Sequence, residues 1–339
     1  MPRRQVRVRC GTLRRMRAVV LRDHGGPEVL TIEEVASPIP GPDQILVNVA
    51  HTALNRADTL QRMGGYPDPR NLALEIPGLE YAGTVAAVGS DVTEWVVGDQ
   101  VMGIESGGCY AEQVVTHARQ ALPVPSTVEL ADASAIAEVF LTAWDALVVQ
   151  GGLASGRWAL VHAGASGVGT AGIQIAKAIG ARIAVTCSAG KADACRELGA
   201  DLVIERSPND WLSELKAAVP GGVDVILDVI GGDEAERNML AAAMDASIIQ
   251  VGLMGGGKAP VNMGLLLMKR ISWIGTTLRA RPLERKLDLC QRFISEIIPL
   301  FEAGALRPVI DSRFAFDDIA DAHRHMESNA NVGKILIDL

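Results

Sequence analysis

Aromatic side chains are scarce in this 339-residue chain, at 4% of the total. Long apolar runs are missing as well. The most hydrophobic stretch, 239–268, is broken by Asp245, Lys258 and Gly255-Gly256-Gly257, so it falls short of the roughly 18 uninterrupted apolar residues of a membrane span. The cysteines Cys10, Cys109, Cys187, Cys195 and Cys290 are scattered and odd in number, with no Cys-X-X-Cys pair. That excludes a disulfide framework and reads as reduced thiols in a cytoplasmic protein. Overall basicity is lacking too: a net charge of −8 argues for a soluble protein and against nucleic acid as the main partner.

Residues 1–15 depart from that balance, with Arg3, Arg4, Arg7, Arg9, Arg14 and Arg15 and no acid. No apolar segment follows, so a secretory signal is excluded, and the absence of serine disfavours an organellar transit peptide. The stretch reads as a disordered extension, or as sequence upstream of a start at Met16.

What is abundant is glycine, 35 residues, against a usual share of roughly 7%. With Ala, Val and Ile it suits an α/β protein of tight turns and buried parallel strands. The length favours two domains, and 48% apolar residues suffice for two cores. From 16 to about 137 the pattern is β-rich: strands are expected over 17–21, 31–35, 44–52, 80–88 and 96–102, separated by Gly- and Pro-containing turns. After about 140 strands alternate with helices. Strands are expected at 158–163, 182–187, 202–204, 223–229, 247–251 and 271–275. The intervening helices lie at 169–179, 191–198, after Ser207-Pro208, and at 233–244. Six strands with helical crossovers make a doubly wound parallel sheet. A long amphipathic helix over 282–301 and a final strand at 334–339 follow, the strand returning to the first domain.

The first strand of the second half runs into Gly164-Ala165-Ser166-Gly167-Val168-Gly169 and then a helix. Gly164 suits the tight turn, small residues at Ser166 and Gly167 admit a pyrophosphate, and Gly169 lets helix and sheet pack closely. The helix N-terminus offers free N–H groups to phosphate. Ser166 replaces the middle glycine of the usual dinucleotide fingerprint. An NAD site also places a carboxylate at the end of the second strand, whereas this strand ends Cys187-Ser188 and the first acid is Asp193. Ser188, Lys191 and Arg206 are the candidates to hold a 2′-phosphate, which favours NADPH; an ordinary solvated role for either cation is the alternative.

This arrangement resembles the medium-chain dehydrogenase/reductase superfamily, and its zinc-independent, zeta-crystallin-like NADPH:quinone oxidoreductase branch in particular. The resemblance rests on Leu54-Asn55-Arg56-Ala57-Asp58, the run from Ile76 through Gly78-Leu79-Glu80 to Val85, His162 through Gly169, Gly252-Leu253-Met254-Gly255-Gly256-Gly257 and Gly333-Lys334-Ile335. It implies an α/β fold: a Rossmann domain over 139–280, and a GroES-like irregular barrel over 16–138 completed by 281–339. It also places Gly252, Leu253 and Lys334 on the cofactor, and Asn55, Tyr66 and Thr142 around the nicotinamide and acceptor. Each of these three has a plainer reading, as a turn residue, a loop anchor and a helix-interior threonine. Asp58 reads as a cap, and His162 as a satisfied strand-end histidine.

Zinc members of that superfamily carry Gly-His-Glu and a four-cysteine loop. Here Leu79 fills the histidine position and only Cys109 follows Gly98-Asp99, so no metal site is expected. The expected activity is hydride transfer from NADPH to a quinone by a homodimer. Reduction of a conjugated carbonyl (enoyl or enal), or cofactor binding without catalysis, are the alternatives.

Overall fold

The computed structural model describes residues 14–70, 72–206 and 210–339. Most of the basic extension and the Ser207-Pro208 helix start lie outside them. Strands β1 (Arg15–Leu21) and β2 (Leu30–Ala36) form an antiparallel pair. Then come β3 (Gln44–Ala53), helix α1 (Arg56–Arg62), β4 (Glu80–Val88), β5 (Gln100–Ile104), β6 (Gln113–His117) and β7 (Leu122–Pro123). Helices α2 (Leu130–Ala133) and α3 (Ala137–Trp144) lead into the alternating half. That half runs β8 (Trp158–His162), α4 (Gly167–Ala178), β9 (Arg182–Cys187), α5 (Ala192–Glu197), β10 (Leu202–Glu205) and α6 (Trp211–Ala218). It continues with β11 (Val223–Asp228), α7 (Glu234–Ala241), β12 (Ala242–Gln250), α8 (Met263–Lys269) and β13 (Ser272–Gly275). Beyond it are α9 (Leu283–Glu296), α10 (Ile298–Glu302), β14 (Ile310–Ala315), α11 (Ile319–Glu327) and β15 (Lys334–Asp338).

The alternating half is one six-stranded sheet, order β10-β9-β8-β11-β12-β13, with every pair parallel. Strand order reverses between β8 and β11, where Rossmann-type sheets open a ligand crevice. β8 shows why its sequence is apolar from Trp158 to Val161. Ala159 and Val161 pack towards Ile173 and Ala176 of α4, while Leu160 faces Trp211 and Leu215 of α6. A strand covered on both faces has no polar side to show.

The second sheet has the order β14-β15-β3-β4-β5-β7, with β6 also on β3. This is the GroES-like sheet, and β15 enters it antiparallel to β3, Leu336 opposite Ala53. Between the sheets α3 packs on α9 and α10. Phe140 meets Phe301 edge-on at 4.8 Å between ring centroids, and Trp144 meets Phe293 at 6.0 Å.

Four local expectations need correction. The strand expected over 96–102 begins only at Gln100. Val96 and Val97 are both 64% exposed in a turn where the Asp99 carboxylate accepts the Val96 N–H at 2.8 Å. The helix expected over 233–244 stops at Ala241, because Ala242 takes extended backbone and pairs with Val223. The helix expected over 282–301 breaks at Ile297, since Pro299 has no N–H to continue the ladder and instead starts α10. Finally, α1 lies inside a stretch read as strands and turns alone.

Candidate functional site

The turn between β8 and α4 is built by close approach. The left-handed residue in it is Ala163, at φ 57°, not Gly164. Gly164 is needed instead because a Cβ there would stand 2.5 Å from Val185 Cβ on β9. At Gly169 a Cβ would meet the Ala163 carbonyl oxygen at 2.4 Å, so only glycine lets the helix start this near the strand end. Ser166 caps α4, its hydroxyl accepting the Gly169 N–H at 3.1 Å. The Gly167 and Val168 amides, at the start of the helix, have no intrahelical acceptor and remain for an anion. His162, at the end of β8, is held between Thr186 (2.9 Å) and Asn238 (2.8 Å), the satisfied role the sequence suggests.

At the crevice rim, Ser188 is exposed just past β9. The Lys191 ammonium donates to the carbonyls of Asn329 and Asn331, each at 2.7 Å. Arg206 is exposed and 3.8 Å from Glu234. Leu253 is 56% exposed after β12, and a Cβ on neighbouring Gly252 would strike the Val229 carbonyl at 2.9 Å.

A second cluster lies between the sheets. Lys334, at the start of β15 and 3% exposed, donates to the Leu54 carbonyl at 2.6 Å, Asn55 Oδ1 at 2.7 Å and Glu80 Oε1 at 2.7 Å. Asn55 donates back to Glu80 Oε1 at 2.9 Å, and more loosely to the Ala53 carbonyl at 3.4 Å. Glu80 Oε2 accepts the Glu138 backbone N–H at 3.0 Å, and the Thr142 hydroxyl donates to Glu138 Oε1 at 3.2 Å. Burial and the Glu80 charge push the Glu138 carboxyl up to about 7, against the pull of Lys334 and Thr142. Asp58, fully buried, accepts the Asn55 N–H at 2.8 Å and the Tyr110 hydroxyl at 2.9 Å. Burial raises it to about 6 even so, and its Oδ1 has no partner.

Tyr66 sits on the loop after α1, held by Arg279 from the segment beyond β13. The guanidinium lies 4.9 Å from the ring centroid and donates to the Tyr66 carbonyl at 2.9 Å, which leaves the phenol hydroxyl outside that clamp. Arg279 is itself fixed by the Ser106 carbonyl at 2.7 Å and Gln61 Oε1 at 2.8 Å. Burial raises the Tyr66 phenol above its usual range, with Arg279 opposing and Glu138 and Asp58 adding to the rise.

The structure therefore gathers Asn55, Thr142 and Lys334 into one cluster with Tyr66 beside it. It keeps Ser188, Lys191 and Arg206 on a separate rim. Glu138 and Arg279 carry much of the geometry and were not singled out from sequence. The signal for Glu138 was a lone acid inside the apolar run 135–141.

This donor set does not fit a catalytic zinc. Leu79 offers only alkyl carbons, Glu80 already holds an ammonium, and among the described residues no three His, Cys, Asp or Glu side chains stand together to hold a metal.

Two family models match: an alcohol dehydrogenase GroES-like domain over residues 41–126, and a zinc-binding dehydrogenase over residues 167–292. The chain is 29% identical over 340 residues to the synaptic vesicle membrane protein VAT-1 homolog of Rattus norvegicus, covering 95% of this chain and 84% of that one. It is 31% identical over 315 residues to quinone oxidoreductase-like protein 2 of Bos taurus, covering 91% and 89%. Among solved structures, a mycobacterial protein complexed with NADPH superposes with a TM-score of 0.86 at 27% identity, covering 96% and 100%.

Proposed function

The chain belongs to the medium-chain dehydrogenase/reductase superfamily, in its quinone-oxidoreductase-like branch, and from that premise we propose that it reduces quinones with NADPH, without zinc. One observation carries the reading. A Cβ at Gly167 would stand 2.8 Å from Lys334 Cδ, so the cofactor turn and the Asn55 cluster share a wall. NADPH, when bound, supplies the hydride. The first amides of α4 take the pyrophosphate, Gly252 and Leu253 border the cofactor, and Lys334 joins the turn to the cluster through its methylene stem. Ser188, Lys191 and Arg206 receive the 2′-phosphate, since β9 itself ends without a carboxylate, the nearest being Glu205 of β10 beside Cys187.

At the acceptor, the Tyr66 hydroxyl and the loosely held Asn55 amide hydrogen donate to an oxygen gaining negative charge. Thr142 lines the nicotinamide side. A quinone is electron-poor, so proximity does much of the remaining work. Reduced, buried cysteines support a cytoplasmic setting, and among the described residues no helix is long and apolar enough to cross a membrane.

β13 is an edge strand, paired on one side only, and Met263, Leu267 and Met268 of neighbouring α8 are 65%, 78% and 66% exposed. These features support a homodimer that pairs the β13 edges.

NADPH oxidation followed with 1,2-naphthoquinone and with an enal tests the activity. Quinone-dependent consumption bears it out. Consumption with the enal alone points to a conjugated-carbonyl reductase, and none with either to a cofactor-binding protein without turnover.

A further inference from the structure

Hydride addition to a neutral acceptor leaves an anion that must gain a proton, and the cluster holds one more carboxyl group than its charges balance. Three carboxyl groups are linked through this cluster: Glu80 of β4 takes the Lys334 ammonium of β15 on one oxygen and the Glu138 backbone N–H of α3 on the other, and Asp58 of α1 takes the Asn55 N–H. Glu80 takes that ammonium directly. Arg279 lies beyond Tyr66 and lowers Asp58 rather than Glu138. Glu138 therefore meets Glu80 and Asp58 as like charges, with Lys334 and the Thr142 hydroxyl opposing them. Two adjacent carboxyl groups with one cation between them retain a proton.

The geometry points to Glu138 as the proton source for the reduced acceptor, delivering through the Thr142 hydroxyl. This rests on the reductase reading above. In the step, a hydride carrying two electrons adds to the acceptor and makes a C–H or O–H bond. The Thr142 hydroxyl, which donates to Glu138 Oε1 at rest, turns to give its proton to the resulting oxyanion as its oxygen takes the proton of Glu138, leaving a Glu138 carboxylate that solvent reprotonates. The cofactor is oxidised and the acceptor reduced by two electrons. The net proton comes from water.

The Thr142–Glu138 contact of 3.2 Å is one turn of α3, so the helix fixes the relay. Its rise to about 7 puts Glu138 where an acid both holds and yields its proton near neutrality.

Infrared difference spectra across pH 5–9 of the resting protein, set beside turnover profiles, test this. The expected result is a protonated-carboxyl band in wild type that disappears near pH 7, a component lost in Glu138→Gln, which keeps only the bands of other buried acids such as Asp58, titrating near 6. Wild-type turnover is expected to be level below pH 7 and to fall above it. Glu138→Gln is expected to lose that inflection and about 10²-fold in kcat, the low end for acid catalysis. Thr142→Val is expected to lose turnover similarly while keeping the band, and Thr142→Ser to restore turnover. NADPH dissociation constants within twofold of wild type in all three would show that the cofactor site is intact. Absence of the component titrating near pH 7 overturns the inference whatever the acceptor. An active wild type whose Glu138→Gln variant keeps its pH profile overturns the inference and leaves the reductase reading standing. A wild type that shows the band but reduces no quinone or enal overturns both.

Discussion

Gly333 donates its N–H to the Ala165 carbonyl at 2.9 Å, stitching the approach to the last strand of one sheet onto the cofactor turn of the other. Only glycine serves there: its φ is +80°, and a Cβ would lie 2.3 Å from the Val309 carbonyl oxygen. The junction ties the β8–α4 turn to the start of β15 and so to Lys334.

Cofactor preference follows from the rim. Lys191→Ala is expected to weaken NADPH about tenfold and leave NADH unchanged, a charge-assisted phosphate contact being worth roughly 1.5–3 kcal/mol before solvation. In the resting structure Lys191 holds two loop carbonyls, so its ammonium must turn to reach a phosphate. Ser188→Asp is expected to reverse the preference. Dissociation constants of both cofactors for the three proteins check this, and a Lys191→Ala variant indifferent to the phosphate would reassign the lysine to anchoring that loop.

Tyr66→Phe and Asn55→Ala are each expected to lower quinone turnover about tenfold, a weak example of oxyanion stabilisation because the acceptor is intrinsically reactive. NADPH affinity is expected to hold in both. Steady-state kinetics beside cofactor titrations check it, and wild-type rates in both variants would assign these residues to packing.

Lys334→Met is expected to destabilise the fold by about 3–5 kcal/mol, because it strands the Glu80 carboxylate, 0% exposed, without its cation. Glu80→Gln with Lys334→Met removes both charges and is expected to recover much of that loss. Denaturant midpoints of the single and double variants measure it.

Asp58 gives stability an acid-side optimum. Its folded value, about 6, lies above the 3.8 of a free aspartate, so the native state holds this proton more tightly than the unfolded chain does. The contribution is therefore fully present below about pH 4 and is lost as pH rises through 6. Asp58→Asn removes this titration, and its unfolding free energy is expected to decline less than that of wild type between pH 4 and 6. Parallel slopes for the two proteins would contradict the assignment.

Light scattering at micromolar concentration is expected to give the mass of two chains, as edge pairing through β13 requires. A clean monomer would leave that edge without its proposed partner.

Much of the fold was legible because its signals are local. The β8–turn–α4 unit announces itself within a dozen residues, and buried parallel strands read as continuous apolar runs. The acid cluster was not legible for the opposite reason. Glu80 meets Glu138 across 58 residues and Lys334 across 254, distances over which no periodicity operates. Glu138 interrupts an apolar run, and its meaning depends on an ammonium supplied by β15. The misplaced boundaries have smaller causes. Val96-Val97 has strand-like composition, but Gly98, at φ +103°, and the Asp99 side chain hold it in a turn. Pro299 was a visible helix breaker that amphipathic spacing overrode.

The separation of Asn55 from Lys334 by 279 residues also orders events during synthesis. The parallel sheet comes from one continuous stretch, β8 to β13, and can collapse while the chain is still emerging. The GroES-like sheet cannot close then. β3 has β4 on one edge and β6 along Gln44–Asn48 of the other early, but the His51–Ala53 end of that second edge stays unpaired until β15 arrives, and until then the Asn55 side chain lacks the ammonium that orients it. A nascent chain can thus carry a formed β8–α4 turn well before the Asn55–Lys334 cluster exists, with the open His51–Ala53 end of β3 as the surface that a chaperone would have to shield.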